Sequence, residues 1–266
     1  MAAASSNPAF NNSPVFTTKA VVNSTTLNGK TMTPSELDEL YGRPSATPTD
    51  TDRMTYEDTI MKIVIAFGIL LVGAVVGWMI PVVAIPAAIV GFVLALVNIF
   101  KKKPSRGLIL AYAGVEGLFV GGISAIFEQA YGGIVPQAVF GTLGVVGVTL
   151  ALFATGKVRE SKRATQIFTV AIFGYMAFQL VNLVLVWTGV LPTFGVQGMH
   201  PLINLGIGLL VVLLASYSLV MDFTAIKRGV EAGAPRIFGW QAAFGIMVTV
   251  VWLYTEILRF LAIFRQ

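Results

Sequence analysis

Three charged side chains stand inside long apolar runs near the end of this chain. Asp222 closes one run, and Glu256 and Arg259 lie within the next. Two more carboxylates, Glu116 and Glu128, lie in or at the edge of an earlier run. A carboxylate or guanidinium in such surroundings costs a few kcal/mol unless it is paired or hydrated. Carboxylates facing a hydrated interior attract and pass cations, so the chemistry open to these residues is ion conduction and proton sensing. Each also has a plainer reading. Asp222 and Glu128 can be interfacial residues in contact with water, and Glu256 can be neutralised by Arg259 at i+3. Glu116 has no Lys or Arg at i±3 or i±4. Protonation is the remaining local way to neutralise it, which would make it a proton-sensitive switch.

The composition says what must position them. Of 266 residues, 56% are hydrophobic and only 12% charged. The mean hydropathy is +0.80. A soluble domain carries about twice that charged fraction. The apolar residues come in runs of about 20, the length that crosses a hydrocarbon core of roughly 30 Å. The reading is an all-α polytopic membrane protein, a bundle of seven transmembrane helices. Spans are expected at 60–80, 82–100, 108–127, 134–154, 166–190, 201–221 and 238–264. Thr55-Tyr56-Glu57-Asp58 is an N-cap signal for the first, and Pro81 ends it. The short connection to the second span requires a tight antiparallel pair.

Loop charges orient the bundle. Lys101, Lys102, Lys103 and Arg106 fill the second loop. Lys157, Arg159, Lys162 and Arg163 fill the fourth, and Lys227, Arg228 and Arg236 the sixth. The other three loops carry no Lys or Arg. The basic loops, and with them the N-terminus, are expected in the cytoplasm. Arg259 and Arg265 pull the other way and leave a re-entrant last segment as the alternative. On this topology Glu116 lies about 12 Å from the inner end of its span, and Glu256 about 27 Å along the last one. Asp222 falls at the inner mouth and Glu128 at the outer. The four acids form a ladder across the membrane.

Other classes fall away. There is no cysteine and a single histidine, His200, beside Pro201. Disulfides, thiolate metal sites and cysteine nucleophiles are excluded. No span holds a Ser/His or paired-Asp arrangement at catalytic spacing, so no enzyme is expected. No cofactor and no firm metal site is expected, only transient Ca²⁺ contact at Asp222, Glu116 and Glu256. The net charge of +5 resides in loops that set orientation, and no nucleic-acid motif accompanies it.

Residues 1–54 read as a disordered polar cytoplasmic tail ahead of a membrane domain at 55–266. A capping box at Thr33-Pro34-Ser35-Glu36 predicts a short helix near 34–41. The repeats NPAF and SPVF, ending at Phe10 and Phe16, have the form of a docking motif. Small-xxx-small spacings (Gly73 and Gly77, Gly117 and Gly121, Gly141 to Gly147) predict helix-packing seams. Trp78, Trp187, Trp240 and Trp252 fit an interfacial belt.

These segments resemble the Bax inhibitor-1/YccA-like family. SLVMDFTAI (218–226) is similar to its sixth-helix ending, and WLYTEILRFLAIF (252–264) to its last helix. EGLFVGGIS (116–124) is similar to its Glu-Gly-Leu segment. The resemblance covers roughly residues 55–266, and the long tail looks like that of a bacterial branch. It implies a pH-sensitive Ca²⁺ leak in the cell membrane, closed by a pair of acids on the last two helices. Asp222 takes the sixth-helix acid. Glu256 takes the other only if Leu253-Tyr254 aligns with the family's Leu-Tyr. The 34 residues between Asp222 and Glu256 look long for such a pair, and the expected depths put the two acids near opposite faces. A second implied role is regulation of a membrane protease through protein contact, without conduction. The tail favours that alternative.

Overall fold

The computed structural model describes Thr26–Leu27, Lys30–Thr31 and residues 52–192 and 194–265. In the N-terminal unit, β1 (Thr26–Leu27) and β2 (Lys30–Thr31) pair antiparallel, Thr26 opposite Thr31 and Leu27 opposite Lys30. Asn28-Gly29 separates them in sequence, the dipeptide favoured in two-residue hairpin loops. The NPAF and SPVF repeats and the helix expected near 34–41 lie outside the described residues.

The membrane unit is helical. Its elements are α1 (Tyr56–Met79), a 3₁₀ turn (Pro81–Val83), α2 (Ala84–Phe100), α3 (Arg106–Ala130), α4 (Ile134–Ala154), α5 (Lys162–Trp187), α6 (Gly195–Met199), α7 (Pro201–Glu231) and α8 (Phe238–Phe264). Among the described residues seven helices, the 3₁₀ turn counted with α2, are long and apolar enough to cross a membrane. The chain is a multi-pass α-helical membrane protein.

Local chemistry sets the boundaries. Thr55 caps α1, its hydroxyl accepting the Asp58 N–H at 3.2 Å, and Glu57 and Asp58 complement the positive helix start. Ser161 caps α5 through the Ala164 N–H, so that helix starts earlier than hydropathy indicates. The largest difference is in α7. Its apolar run ends at Met221, but the helix continues to Glu231. Hydropathy marks where lipid ends, not where helical hydrogen bonding ends. Ile226 and Val230, one turn apart, keep the extension packed against Met54 and Ile246. Gly233, at φ 62°, stops it. Ala234 N then donates to Gly229 O at 2.9 Å and Gly233 N to Val230 O at 3.0 Å, a left-handed C-cap. Asp222 is therefore about two and a half turns from the end of its helix rather than at its terminus.

The core is built around α8. Trp240, Ala243, Phe244, Met247 and Val251 of α8 pack with Ala66 and Leu70 of α1 and with Ile109, Tyr112 and Ala113 of α3. Tyr254, Leu258 and Ala262 continue the contact onto Ile134 and Ala138 of α4. The expected glycine seams of the first and third spans meet each other. A Cβ on Gly73 would lie 3.2 Å from the Gly117 Cα, so neither position has room for a side chain. The glycines of α4 do not form such a seam: Gly144 and Gly147 have nothing within 4 Å of a Cβ position. Spacing reveals a small-residue stripe but not which side of the helix meets a neighbour. The last segment is one continuous helix. It is long and apolar enough to cross a membrane, and the arginines near its end find partners within the bundle. Arg265 Nη1 donates to the carbonyls of Tyr131 at 3.0 Å and Gly132 at 2.6 Å.

Candidate functional site

Asp222 projects from α7 toward α8. Its Oδ2 accepts the Thr249 hydroxyl at 2.8 Å, and Thr249 lies 3.3 Å from the Ser218 hydroxyl, one turn before Asp222. Its Oδ1 lies 3.2 Å from the point a Cβ on Gly245 would occupy, so the glycine leaves the space the carboxylate uses. Asp222 also lines a cavity of about 490 Å³ with Asn98, Gln241, Phe244, Gly245 and Met54. This wall offers a carboxylate and two amides among apolar side chains. No Lys or Arg pairs with Asp222 among the described residues.

Glu116 is half-buried in α3 and faces α2, one carboxylate oxygen 2.8 Å from where a Cβ on Gly91 would stand. It too is absent from the ion pairs among the described residues. Phe244 connects the two acids. It lines the Asp222 cavity, and its ring meets that of Tyr112, one turn before Glu116, edge-on at 5.0 Å.

Glu256 sits in a different setting. It pairs with Arg259, and the Tyr175 hydroxyl of α5 donates to its Oε1 at 2.5 Å. Arg259 Nη2 also donates to Tyr175 Oη at 2.7 Å. Glu256 and Asp222 are not brought together. The α8 residue opposite Asp222 is Thr249, seven positions before Glu256, about 10 Å along the helix. Glu128 is occupied by backbone. Its oxygens accept the N–H groups of Gly133 at 2.5 Å and Val135 at 2.9 Å, capping the start of α4. Of the four acids, Glu256 is held by a guanidinium and Glu128 by backbone N–H groups, while Asp222 has one hydroxyl beside a cavity and Glu116 has no ion pair among the described residues.

One cluster escapes the sequence reading. Asp58, on the first turn of α1, accepts from Lys62 Nζ at 2.5 Å and from Arg236 Nε at 2.8 Å. Lys62 is only 7% exposed, and its ammonium also donates to the Arg236 carbonyl at 2.6 Å. It lies 5.8 Å from the centre of the Trp240 ring, with Arg106 5.4 Å from the same ring. Burial raises the Asp58 carboxyl, but the hydrogen bonds and charges of Arg236 and Lys62 more than offset this and hold it below the ordinary carboxylate range. The signal was present: a lysine two residues into an apolar run, at i+4 from an aspartate. Thr249 and Tyr175 had no such signal, because their partners lie on other helices.

A sequence model described as Bax inhibitor 1 like matches residues 7–266. No curated protein matches the chain at a significant level. A match over nearly the whole length, on a seven-span bundle with Asp222 near the end of its sixth span, places this chain in the Bax inhibitor 1 like family.

Proposed function

We propose that this protein is a cation leak across the cell membrane, with Ca²⁺ as the ion and carboxylate protonation as the gate. The observation that carries the reading is Asp222, an acid with no cationic partner among the described residues that opens onto a cavity. An ionised carboxylate there attracts a cation, and Asn98 and Gln241 offer amide oxygens on the same wall. Thr249 supports exchange. A hydroxyl donates to Asp222 when the site is empty and turns a lone pair inward when an ion arrives. Glu116 serves as the second station, facing α2. Glu256 and Arg259 form the outer station, closed by their own pairing, and Glu128 stands at the outer rim. The family resemblance implies an acid pair on the last two helices. In this chain a hydroxyl stands opposite the sixth-span acid, so one proton is enough to neutralise the station.

The test is Ca²⁺ flux into proteoliposomes across pH. Flux is expected to fall as pH falls, with the slope of a single proton, and Asp222→Asn is expected to abolish both the flux and its pH dependence. Unchanged flux in Asp222→Asn, Glu116→Gln and Glu256→Gln would remove these residues from the pathway.

A further inference from the structure

Residues 52–58 run across the end of the bundle that carries the basic loops and are tied to the turn between α7 and α8. Met54 N donates to Ala234 O at 2.7 Å, and Arg236 N donates to Asp52 O at 2.9 Å. Between them Arg53 and Pro235 face each other as an isolated antiparallel bridge. The Asp58–Arg236 ion pair, at 2.7 Å, closes the set, and Lys62 bonds both partners. Met54 is the apolar anchor. It is 4% exposed, and its sulfur lies 3.0 Å from where a Cβ on Gly229 would be. Met54, Gly229 and Ala234 also line the cavity that holds Asp222. Two of the fastening residues, Met54 and Ala234, thus also wall the cavity.

We infer that residues 52–58 are a strap closing the Asp222 cavity on the basic face, and that its release from the turn at 232–236 is what admits the ion. This rests on the cation-leak reading for what the opening does, but not for the opening itself. The fastening suits a device that opens. Its polar ties are few and local. The Arg236 side chain is 51% exposed, so water competes for Asp58 once the pair separates. Of the described residues 52–58, Met54 alone lines the cavity, and the turn it grips begins at the left-handed Gly233.

The absence of cysteine from the chain makes the test clean. Arg53→Cys with Pro235→Cys places two thiols on facing bridge residues, where Cα separations of about 4.5–5.5 Å suit a disulfide. Oxidation is expected to cut Ca²⁺ flux about tenfold and reductant to restore it, while Asp58→Asn raises flux through loss of a charge-assisted bond. Cross-linked protein, verified by mass spectrometry, that conducts like the reduced form would overturn the strap as a gate. A second readout does not depend on conduction. Ala242→Cys puts a thiol on the half-buried cavity wall, to be labelled by a membrane-impermeant maleimide from the basic face. Adding Asp58→Asn is expected to speed labelling about tenfold. Equal rates would show that the strap does not cover the cavity. Should no form of the protein conduct, the leak reading fails, and the labelling rates alone decide the strap.

Discussion

Two carboxylates lie along one face of contact with α8, about 10 Å apart on its axis, and are treated in opposite ways. Glu256 has a guanidinium one turn away and a tyrosine hydroxyl from α5, so its charge is neutralised and its direction fixed. Asp222 has one hydroxyl, Thr249, and an open cavity. A buried ion pair is costly to split because the charge left behind has neither water nor counter-ion. A carboxylate held only by a neutral hydroxyl beside a cavity can exchange that bond for a proton, a water or a cation at little cost. The pair at Glu256 is therefore held fixed, and the acid at Asp222 is free to exchange its partner. The same division separates Asp58, with two basic partners, from Glu116, with none among the described residues.

The contrast breaks most visibly at Arg259. Arg259→Met strands the Glu256 charge and is expected to cost about 3–5 kcal/mol of stability. Adding Glu256→Gln should recover a large part of that loss, because the stranded charge is gone. Thermal unfolding in detergent checks this. If the single and double variants unfold together, Arg259 is not what holds Glu256, and the two acids are not as different as their surroundings indicate.

Asp58 comes next, with a smaller effect because Arg236 is half exposed and its attraction is screened. The sign follows from linkage. A carboxyl held below its unfolded value of about 3.9 contributes stability that is present above that pH and lost as pH falls through the lower folded value. Asp58→Asn should thus lower the melting temperature at neutral pH, and the gap from wild type should close as pH falls below the ordinary carboxylate range. A gap that persists in acid would mean that the cluster acts through packing of Lys62 rather than through the Asp58 charge.

The seven spans were legible because lipid demands long apolar runs, and a run of 20 leaves little ambiguity about what it is. Their ends were less legible. Asp222 looked terminal because hydropathy stops at Met221, while the helix is carried ten residues further by Ile226 and Val230. The acids themselves could be found, since a charge in an apolar run announces itself. Their partners could not. Thr249 is an ordinary polar residue until α7 brings Asp222 beside it. The pairing of Glu256 with Arg259 was local in sequence and was visible, but Tyr175 was not, because 81 residues intervene. Depth counted along single helices put Asp222 and Glu256 near opposite faces, whereas Asp222 meets α8 at Thr249, about 10 Å along the axis from Glu256, and depth could not identify that partner.

The smallest structural effect and the sharpest functional one should coincide at Asp222. Asn is nearly the same shape, and its amide oxygen still accepts the Thr249 hydroxyl, so Asp222→Asn should change stability by less than about 1 kcal/mol. Glu116→Gln should behave alike. Ca²⁺ flux should nonetheless vanish in Asp222→Asn, since an amide attracts a divalent ion far less than a carboxylate does. Thr249→Asp takes the argument one step further. It restores two acids facing each other, so the pH profile of flux should change from one titration step to two, because carboxylates within bonding distance cannot both ionise independently. A profile that remains single-step in Thr249→Asp, with the variant folded, would mean that ions do not pass between α7 and α8 at this level.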